Sequence, residues 1–274
     1  MHPYFHLFGR EIPAYGIMML LGISAGAGVI ALLCGRKENG IPRSDALLAG
    51  CIALAGAFGG GLLLRPLMKL PGVVLDWERY GRVPAGDLLG YLFGEIVFYG
   101  GLIGGALAAV WFCRKFSIPF LPVADLFAAA IPAGHAFGRV GCLLGGCCYG
   151  REVHAGHPFG VLYPERTDGL DALAAPANTP LLAVPLIEAA CLLVIAALAA
   201  WVYLKSRANG LSAGVYCALY ATARFVLEFF RGDMIRGQYG GITTSQYISF
   251  VVFLAGLFLL WTAFRRRPAR KRIS

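Results

Sequence analysis

Charged residues are scarce in this sequence. They make up 14% of its 274 residues, whereas a soluble domain carries about 25%. Hydrophobic residues reach 58%, and the mean hydropathy is +0.68. The most apolar runs also lack polar faces at the helical period of 3.6 residues, which argues against a soluble helical bundle. The composition therefore predicts a membrane protein.

Long apolar runs occupy most of the chain. Seven of them are close to the ~20 residues with which a helix crosses about 30 Å of hydrocarbon. They cover residues 13–34, 46–68, 96–113, 123–145, 181–204, 213–231 and 242–264, and they leave long outer loops at 69–95 and 146–180. We predict an all-α polytopic integral membrane protein with seven transmembrane helices, built as a single domain over residues 1–274.

Basic residues are distributed unevenly between the two sides of these spans. If the N-terminus is outside, the inner segments hold 13 of the 24 basic residues but only two of the 15 acidic ones, Glu38 and Asp45. This positive-inside pattern predicts an outer N-terminus and a cytoplasmic C-terminus. The basic balance therefore requires no nucleic acid partner. The arginine-rich tail after Thr262 either lies on anionic lipid headgroups or acts as a topology anchor.

Six ionisable side chains fall inside the predicted spans, where charge is costly and marks candidate functional sites. They are Asp125, Arg139, Glu188, Arg224, Glu228 and Arg231. The topology places Arg139, Glu188 and Arg231 in the outer half of the membrane and Asp125 near its cytoplasmic side. Paired guanidinium groups suit phosphate, so this set predicts a site for a lipid phosphate. The alternative is an ion-paired ladder between helices.

Tyrosines and glycines at the outer ends of spans have two interpretations. Tyr15 and Tyr99 are either interfacial belt residues or part of a site. Tyr99 opens the stretch YGGLIGG, in which Gly100 and Gly101 begin two overlapping small-xxx-small patterns. Such glycines allow close helix approach, or they leave room for a lipid chain. The same ambiguity applies to GAFGGG at 56–61.

Three of the eight cysteines are grouped at the outer end of the fourth span, as Cys142, Cys147 and Cys148. A disulfide could persist on that side. Together with His154 and His157 they could bind zinc or copper. They could also only pack or shape the helix end. The sequence leaves these three possibilities open, whereas the five scattered cysteines are expected to pack as small hydrophobic residues.

Four stretches, in order, resemble the prolipoprotein diacylglyceryl transferase family. YGIMMLLG (15–22) resembles its Y-G-x-M motif, and FYGGLIGG (98–105) its H-G-G-L-I-G motif. GRVGCLLGGCCYGR (138–151) is similar to its G-R-x-G-N-F-x-N-x-E-x-x-G-R signature, and FVLEFFR (225–231) to its V-E-F-F-R. Glu188 and Gln246 also fall where the family has a glutamate and a glutamine. The resemblance covers most of the chain.

The resemblance implies an enzyme of the bacterial plasma (inner) membrane, with its active site facing the outer leaflet. Such enzymes transfer a diacylglyceryl group from phosphatidylglycerol to the thiol of a lipobox cysteine in a secreted prolipoprotein, and glycerol phosphate leaves. Lipid and prolipoprotein are the implied partners, with no cofactor and no metal. By position, Arg139 and Arg231 would hold the lipid phosphate and Tyr99 would be catalytic. The implied substrate-binding set is Arg139, Tyr15, Glu188, Glu228, Gly100, Gly101, Cys142 and Gly150, in which Glu188 and Glu228 orient the arginines.

Three positions depart from the family pattern. Tyr99 replaces the motif histidine proposed as the base, Cys142 an asparagine and Cys147 a glutamate. Because a phenol holds its proton at neutral pH, His135, one turn before Arg139, is a second candidate base. Two alternative functions follow: a phospholipid-binding or differently specific lipid transferase on the same scaffold, and a thiol redox or metal-binding protein that uses the cysteine group.

Overall fold

The structure, a computed structural model, describes residues 4–7, 10–36, 41–94, 97–164, 175–233 and 238–265. Within these ranges there are nine helices: α1 (Ala14–Leu33), α2 (Arg43–Leu75), α3 (Trp77–Tyr80), α4 (Ala85–Phe93), α5 (Phe98–Lys115), α6 (Phe120–Leu144), α7 (Val184–Lys205), α8 (Leu211–Glu228) and α9 (Thr244–Arg265). Six short strands form three antiparallel pairs: β1 (Tyr4–Leu7) with β2 (Arg10–Pro13), β3 (Gly160–Val161) with β4 (Leu181–Leu182), and β5 (Gln238–Tyr239) with β6 (Ile242–Thr243). The predicted helical class is confirmed.

Seven of the helices in the described ranges have 18 or more residues, and each overlaps one predicted span. Five of these, α1, α2, α6, α7 and α9, are long and apolar enough to cross a membrane. The other two, α5 and α8, have 18 residues each and contain charged side chains in their second halves. The protein is therefore a multi-pass membrane protein with at least these five candidate spans.

The segment predicted as an outer loop at 69–95 is largely helical. Helix α2 continues through Pro66 and Pro71 to Leu75, and α3 and α4 follow it. Apolar residues continue beyond the predicted end of the span at residue 68, and a helix in a membrane tolerates internal proline better than one in water. Of the predicted loop at 146–180, residues 165–174 lie outside the described residues. So do Lys37 and Glu38, and the tail from residue 266 onwards.

The chain divides into two compact units, one formed by Ile41–Phe120 and the other by Met1–Gly40 with Leu121–Ser274. The first unit contains α2 to α5. Its two long helices, α2 and α5, run antiparallel with their backbones in direct contact. A Cβ atom added to Gly100 would meet the carbonyl oxygen of Gly60, and one added to Gly104 would meet that of Gly56. Of the two interpretations of these glycines, the structure therefore supports close helix approach.

The second unit packs α1 against α6 and connects α6 through α7 and α8 to α9. Helices α1 and α6 run antiparallel and approach closely at Gly22 and Gly134, where a Cβ on Gly22 would lie 2.6 Å from the Gly134 carbonyl oxygen. Ala136 of α6 packs with Ala189 and Leu192 of α7 in a buried cluster. Gly256 of α9 lies against α8 in the same close manner. These contacts hold the unit together, and the site described below lies near the starts of α1 and α7 and the ends of α6 and α8.

Asp125 has a structural role in this unit. It is completely buried near the start of α6, and its carboxylate accepts hydrogen bonds from two backbone N–H groups at the start of α8. Gly210 N lies 2.7 Å from Oδ2 and Ala213 N 2.9 Å from Oδ1. The first N–H groups of a helix have no partner within the helix, and their partial positive charge favours an anion. Asp125 therefore caps α8 from a different helix.

Candidate active site

Arg139 and Glu188 form a buried ion pair between α6 and α7. Arg139 Nε lies 3.1 Å from Glu188 Oε1, and the two side chains are 12% and 3% exposed. The same Nε donates to His135 Nε2 at 3.2 Å, one turn earlier in α6. Neither Glu188 oxygen makes a well-aligned hydrogen bond within the described residues. Both contacts use Nε, so neither of them occupies the Nη groups at the tip of the guanidinium.

Arg231 lies just beyond the end of α8 and is held by Asp233. Its Nε donates to Oδ1 at 2.8 Å and its Nη2 to Oδ2 at 2.6 Å, which is a bidentate pair. The Arg231 side chain is only 4% exposed. Its third nitrogen, Nη1, is buried and has no hydrogen-bond partner among the described residues. A buried donor of this kind is costly unless a ligand or water accepts from it.

Glu228 pairs with Arg224 within α8. Arg224 Nη2 lies 2.8 Å from Glu228 Oε2, and it also donates to Ser245 Oγ at 3.1 Å. We expected Glu228 to orient Arg139 and Arg231, but the carboxylates paired with them are Glu188 and Asp233. This i, i+4 pair lies within one helix, whereas the Arg139–Glu188 pair joins two helices, as in the ladder considered as an alternative. Asp233 was missed because it lies two residues beyond the predicted span.

A short backbone ladder places Arg231 beside the end of the signature. Gly150 and Arg231 form an antiparallel bridge, in which Arg151 N donates to Phe230 O at 2.9 Å. On its other side Gly150 N donates to Leu182 O at 2.9 Å. A Cβ on Gly150 would lie 2.7 Å from Leu182 atoms. Backbone packing therefore accounts for the glycine at this position.

The three cysteines are close together because of how α6 ends. Gly146 has a φ of +70°, Gly146 N donates to Leu143 O and Cys147 N donates to Cys142 O. This is a Schellman motif, whose left-handed position favours glycine. It folds Cys147 back over Cys142, and Cys148 follows. The three Sγ atoms lie within 4.8 Å of one another.

All eight cysteines are among the described residues, and none of them is in a disulfide. Cys142 is buried, whereas Cys147 and Cys148 are half-buried. The rings of His154 and His157 contact each other, with centroids 5.3 Å apart. Within the described ranges, neither histidine joins the sulfur group. The structure therefore does not support a mixed cysteine and histidine site.

The cysteine group is near both arginines. Cys148 interacts electrostatically with both Arg139 and Arg231. Tyr15, at the start of α1, interacts in the same way with Arg139 and Cys142, and its ring lies against Gly141. The structure thus brings together Tyr15, Arg139, Glu188, Cys142 and Arg231 of the predicted set.

Two further tyrosines border this group and were not foreseen. Tyr220 of α8 interacts with Arg139 through its hydroxyl, and its ring lies 5.8 Å from that of His135. The Tyr163 hydroxyl is buried without a hydrogen-bond partner among the described residues. Burial, followed by the nearby Cys147 thiol, raises the pKa of Tyr163, so this hydroxyl remains a donor at neutral pH.

Tyr99, Gly100 and Gly101 belong to the other unit, at the start of α5. Tyr99 is half-buried, and Val97 N, two residues earlier, donates to Gly61 O at 3.0 Å. Gly100 and Gly101 face the backbone of α2. Helix packing alone accounts for the two glycines.

Gln246 begins α9 in a capping box with Thr243. Thr243 N donates to Gln246 Oε1 at 3.0 Å, and Gln246 N donates to Thr243 Oγ1 at 3.3 Å. These reciprocal bonds satisfy N–H groups that have no partner within the helix. The spacing T-x-x-Q is visible in the sequence and could have predicted this cap.

Comparisons with known proteins agree with these features. The family described as prolipoprotein diacylglyceryl transferase matches residues 3–262. A phosphatidylglycerol–prolipoprotein diacylglyceryl transferase of Clostridium tetani is 30% identical over 255 residues, which are 93% of this chain and 94% of the relative. One from Clostridium perfringens is 31% identical over 256 residues, 92% of this chain and 91% of the relative. One from Acinetobacter baylyi is 30% identical over 264 residues, with 92% and 88% covered. The chain therefore belongs to the prolipoprotein diacylglyceryl transferase family.

Proposed function

We propose that this protein transfers the diacylglyceryl group of phosphatidylglycerol to the thiol of a lipobox cysteine in a prolipoprotein and releases glycerol phosphate. The observation that carries this proposal is the pair of buried arginines, Arg139 and Arg231, both of which are near Cys148. Each is oriented by its own carboxylate, so neither has to be ordered when lipid binds. Two fixed guanidinium groups form a binding site for phosphate.

The reaction is a displacement at a glycerol carbon, in which negative charge grows on the departing phosphate. Arg231 Nη1, a buried donor without a partner in the described residues, and the Nη groups of Arg139 would stabilise that charge. Preorganised electrostatic stabilisation of this kind is commonly the largest single contribution to catalysis. Glu188 and Asp233 act by holding the two arginines in place.

The remaining residues of the predicted set have supporting roles in the proposal. Tyr15 and Cys142 would line the path of the lipid. Gly150 would allow the close backbone contact that positions Arg231. Tyr99 would donate a hydrogen bond to the substrate. Glu228 would hold Arg224, which interacts electrostatically with His135 and Tyr220 beside Arg139.

We further propose seven crossings, with the N-terminus outside and the active site facing the outer leaflet of the bacterial inner membrane. Helix α5 runs antiparallel along α2, and α8 carries its opposite charges as an ion pair, so both can cross with the other five. Lys205, at the opposite end of α7 from Glu188, and Arg114, near the end of α5, would face the cytoplasm. The family match spans both units, which supports one functional domain.

The proposed function is tested by measuring glycerol phosphate released from phosphatidylglycerol by the purified protein, with and without a lipobox peptide. We expect release that requires the peptide, together with a diacylglyceryl thioether on its cysteine. A peptide with serine in place of cysteine is the matched control. Lipid binding without any release would contradict the transferase and support the phospholipid-binding alternative.

Tyr99→Phe removes one hydroxyl and leaves the ring in place. If Tyr99 donates to the substrate, the rate of glycerol phosphate release should fall about tenfold, which corresponds to one hydrogen bond of about 1.4 kcal/mol. Tyr91→Phe, in α4 of the same unit, is the matched control and should leave the rate unchanged. An unchanged rate in Tyr99→Phe would assign Tyr99 to the interfacial belt.

A further inference from the structure

We propose that Cys142, Cys147 and Cys148 bind a zinc ion whose open fourth position takes the thiol of the acceptor cysteine. This inference rests on the proposed function for the identity of that thiol, and it departs from the expectation that the chemistry uses no metal. The binding site itself depends on the positions of the three sulfur atoms and on the charges around them, whatever thiol is the acceptor.

The sulfur geometry fits a single ion. The three Sγ atoms lie within 4.8 Å of one another. Thiolates bound to one zinc at about 2.3 Å are roughly 3.8–4.0 Å apart, so small side-chain adjustments would complete the site. The Schellman motif at Gly146 fixes the separation of Cys142 and Cys147 through backbone hydrogen bonds. The site is therefore largely formed before the metal arrives.

The charges around the site are compatible with zinc. Three thiolates and a zinc dication carry one net negative charge, and the acceptor thiolate would add a second. The guanidinium groups of Arg139 and Arg231, which are near Cys148, carry two positive charges. Sulfur ligands suit zinc.

The fourth position is open in the described part of the chain, because no histidine or carboxylate there joins the sulfur group. Structural zinc sites use four protein ligands, whereas catalytic sites use three and leave one position for substrate or water. Cys147 and Cys148 are half-buried, so a ligand can approach from outside. The arrangement is that of a catalytic site.

An acceptor thiol bound at this position would lose its proton to solvent, because metal coordination deprotonates a thiol. Its sulfur would then form a bond to the glycerol carbon while the bond from that carbon to the phosphate oxygen breaks. The bonding electrons leave with glycerol phosphate beside Arg139 and Arg231. The product is a neutral thioether, a weaker ligand that leaves the zinc. Metal coordination would thus generate the acceptor thiolate in a protein that has Tyr99 in place of the histidine proposed as the base.

The metal site is tested first without reference to activity. Purified protein is expected to bind one zinc, and cobalt in its place should give sulfur-to-metal charge-transfer absorption. Cys142→Ser, Cys147→Ser and Cys148→Ser should each weaken zinc binding. The loss in affinity should exceed the roughly 10–100-fold loss that follows removal of a group hydrogen-bonded to a metal ligand. Cys191→Ser in α7 is the matched control and should bind normally. No zinc bound by the unaltered protein would overturn the proposal.

The role of the fourth position is tested by adding the lipobox peptide to the cobalt protein. The cysteine peptide should change the absorption, and the serine peptide should not. Chelation should stop glycerol phosphate release and added zinc should restore it. Full release by metal-free protein would overturn the activating role while leaving the proposed function intact. A spectral response to the cysteine peptide without any release would instead contradict the transferase and leave the metal site standing.

Discussion

Arg139→Gln is expected to lower the rate of glycerol phosphate release at least about 100-fold, since removal of one preorganised donor commonly costs about 10²–10³ in rate. Arg231→Gln should have an effect of the same size. Both side chains are largely buried, and glutamine keeps a polar, though shorter, side chain without the charge. The measurement is the rate of release from phosphatidylglycerol in the presence of the lipobox peptide.

The single variants leave a buried carboxylate without its cation, which destabilises a protein by about 3–5 kcal/mol. The matched double variants, Arg139→Gln with Glu188→Gln and Arg231→Gln with Asp233→Asn, remove both charges of each pair. They should fold more stably than the single variants and remain equally inactive. This separates loss of the phosphate site from loss of the fold.

Arg114→Gln, at an exposed arginine near the end of α5, is the charge control and should release glycerol phosphate at the normal rate. Arg139→Lys keeps the charge but loses the planar fork, and it should recover only part of the activity. A double variant that folds and retains full activity would eliminate the arginine pair as the phosphate site.

The second large effect is on stability rather than on chemistry. Asp125→Ala should destabilise the protein by about 2–5 kcal/mol, because it leaves two buried N–H groups without acceptors. The midpoint of thermal unfolding in detergent should fall by roughly 5–15 °C. Asp125 lies 14 residues before Arg139 on α6, about 21 Å along the helix. Glycerol phosphate release measured well below the midpoint should therefore be unchanged.

Two variants at the start of α8 serve as comparisons. Asp125→Asn retains one acceptor oxygen and should lose less stability than Asp125→Ala. Ser212→Ala removes the hydroxyl that donates to Ala199 O at 2.8 Å, which should cost about 1 kcal/mol. An Asp125→Ala variant that is as stable as the unaltered protein but inactive would contradict this structural role. It would instead assign Asp125 to the functional site.

The helices could be predicted from the sequence because long apolar runs leave little ambiguity in a membrane. The span predicted at 13–34 corresponds to α1 at Ala14–Leu33, and the one predicted at 242–264 to α9 at Thr244–Arg265. The end of α2 was predicted at residue 68, but the helix continues past Pro71 to Leu75. Proline is tolerated inside a membrane helix where neighbouring groups satisfy the freed carbonyls.

The site was only partly predictable. The predicted membrane depth of the charged residues and the family resemblance both pointed to Arg139, Arg231 and Glu188. Neither showed which carboxylate faces which arginine. Asp233 was missed because it lies two residues beyond the predicted span, and only the ionisable groups inside the spans were taken as candidates. The grouping of the cysteines could have been derived, since Gly145-Gly146 between Cys142 and Cys147 is typical of a helix end that folds the chain back.

The contact between Gly22 and Gly134 determines an order of events during synthesis. The two glycines are separated by the whole of the Ile41–Phe120 unit, about 110 residues. At about 5–20 residues per second, α1 is in the membrane for roughly 6–20 s before α6 has been made. The glycine-rich α2 and α5 can pair in that interval. The first helix to be made therefore cannot pack in its place against α6 until then, and its small residues are exposed to lipid in the meantime.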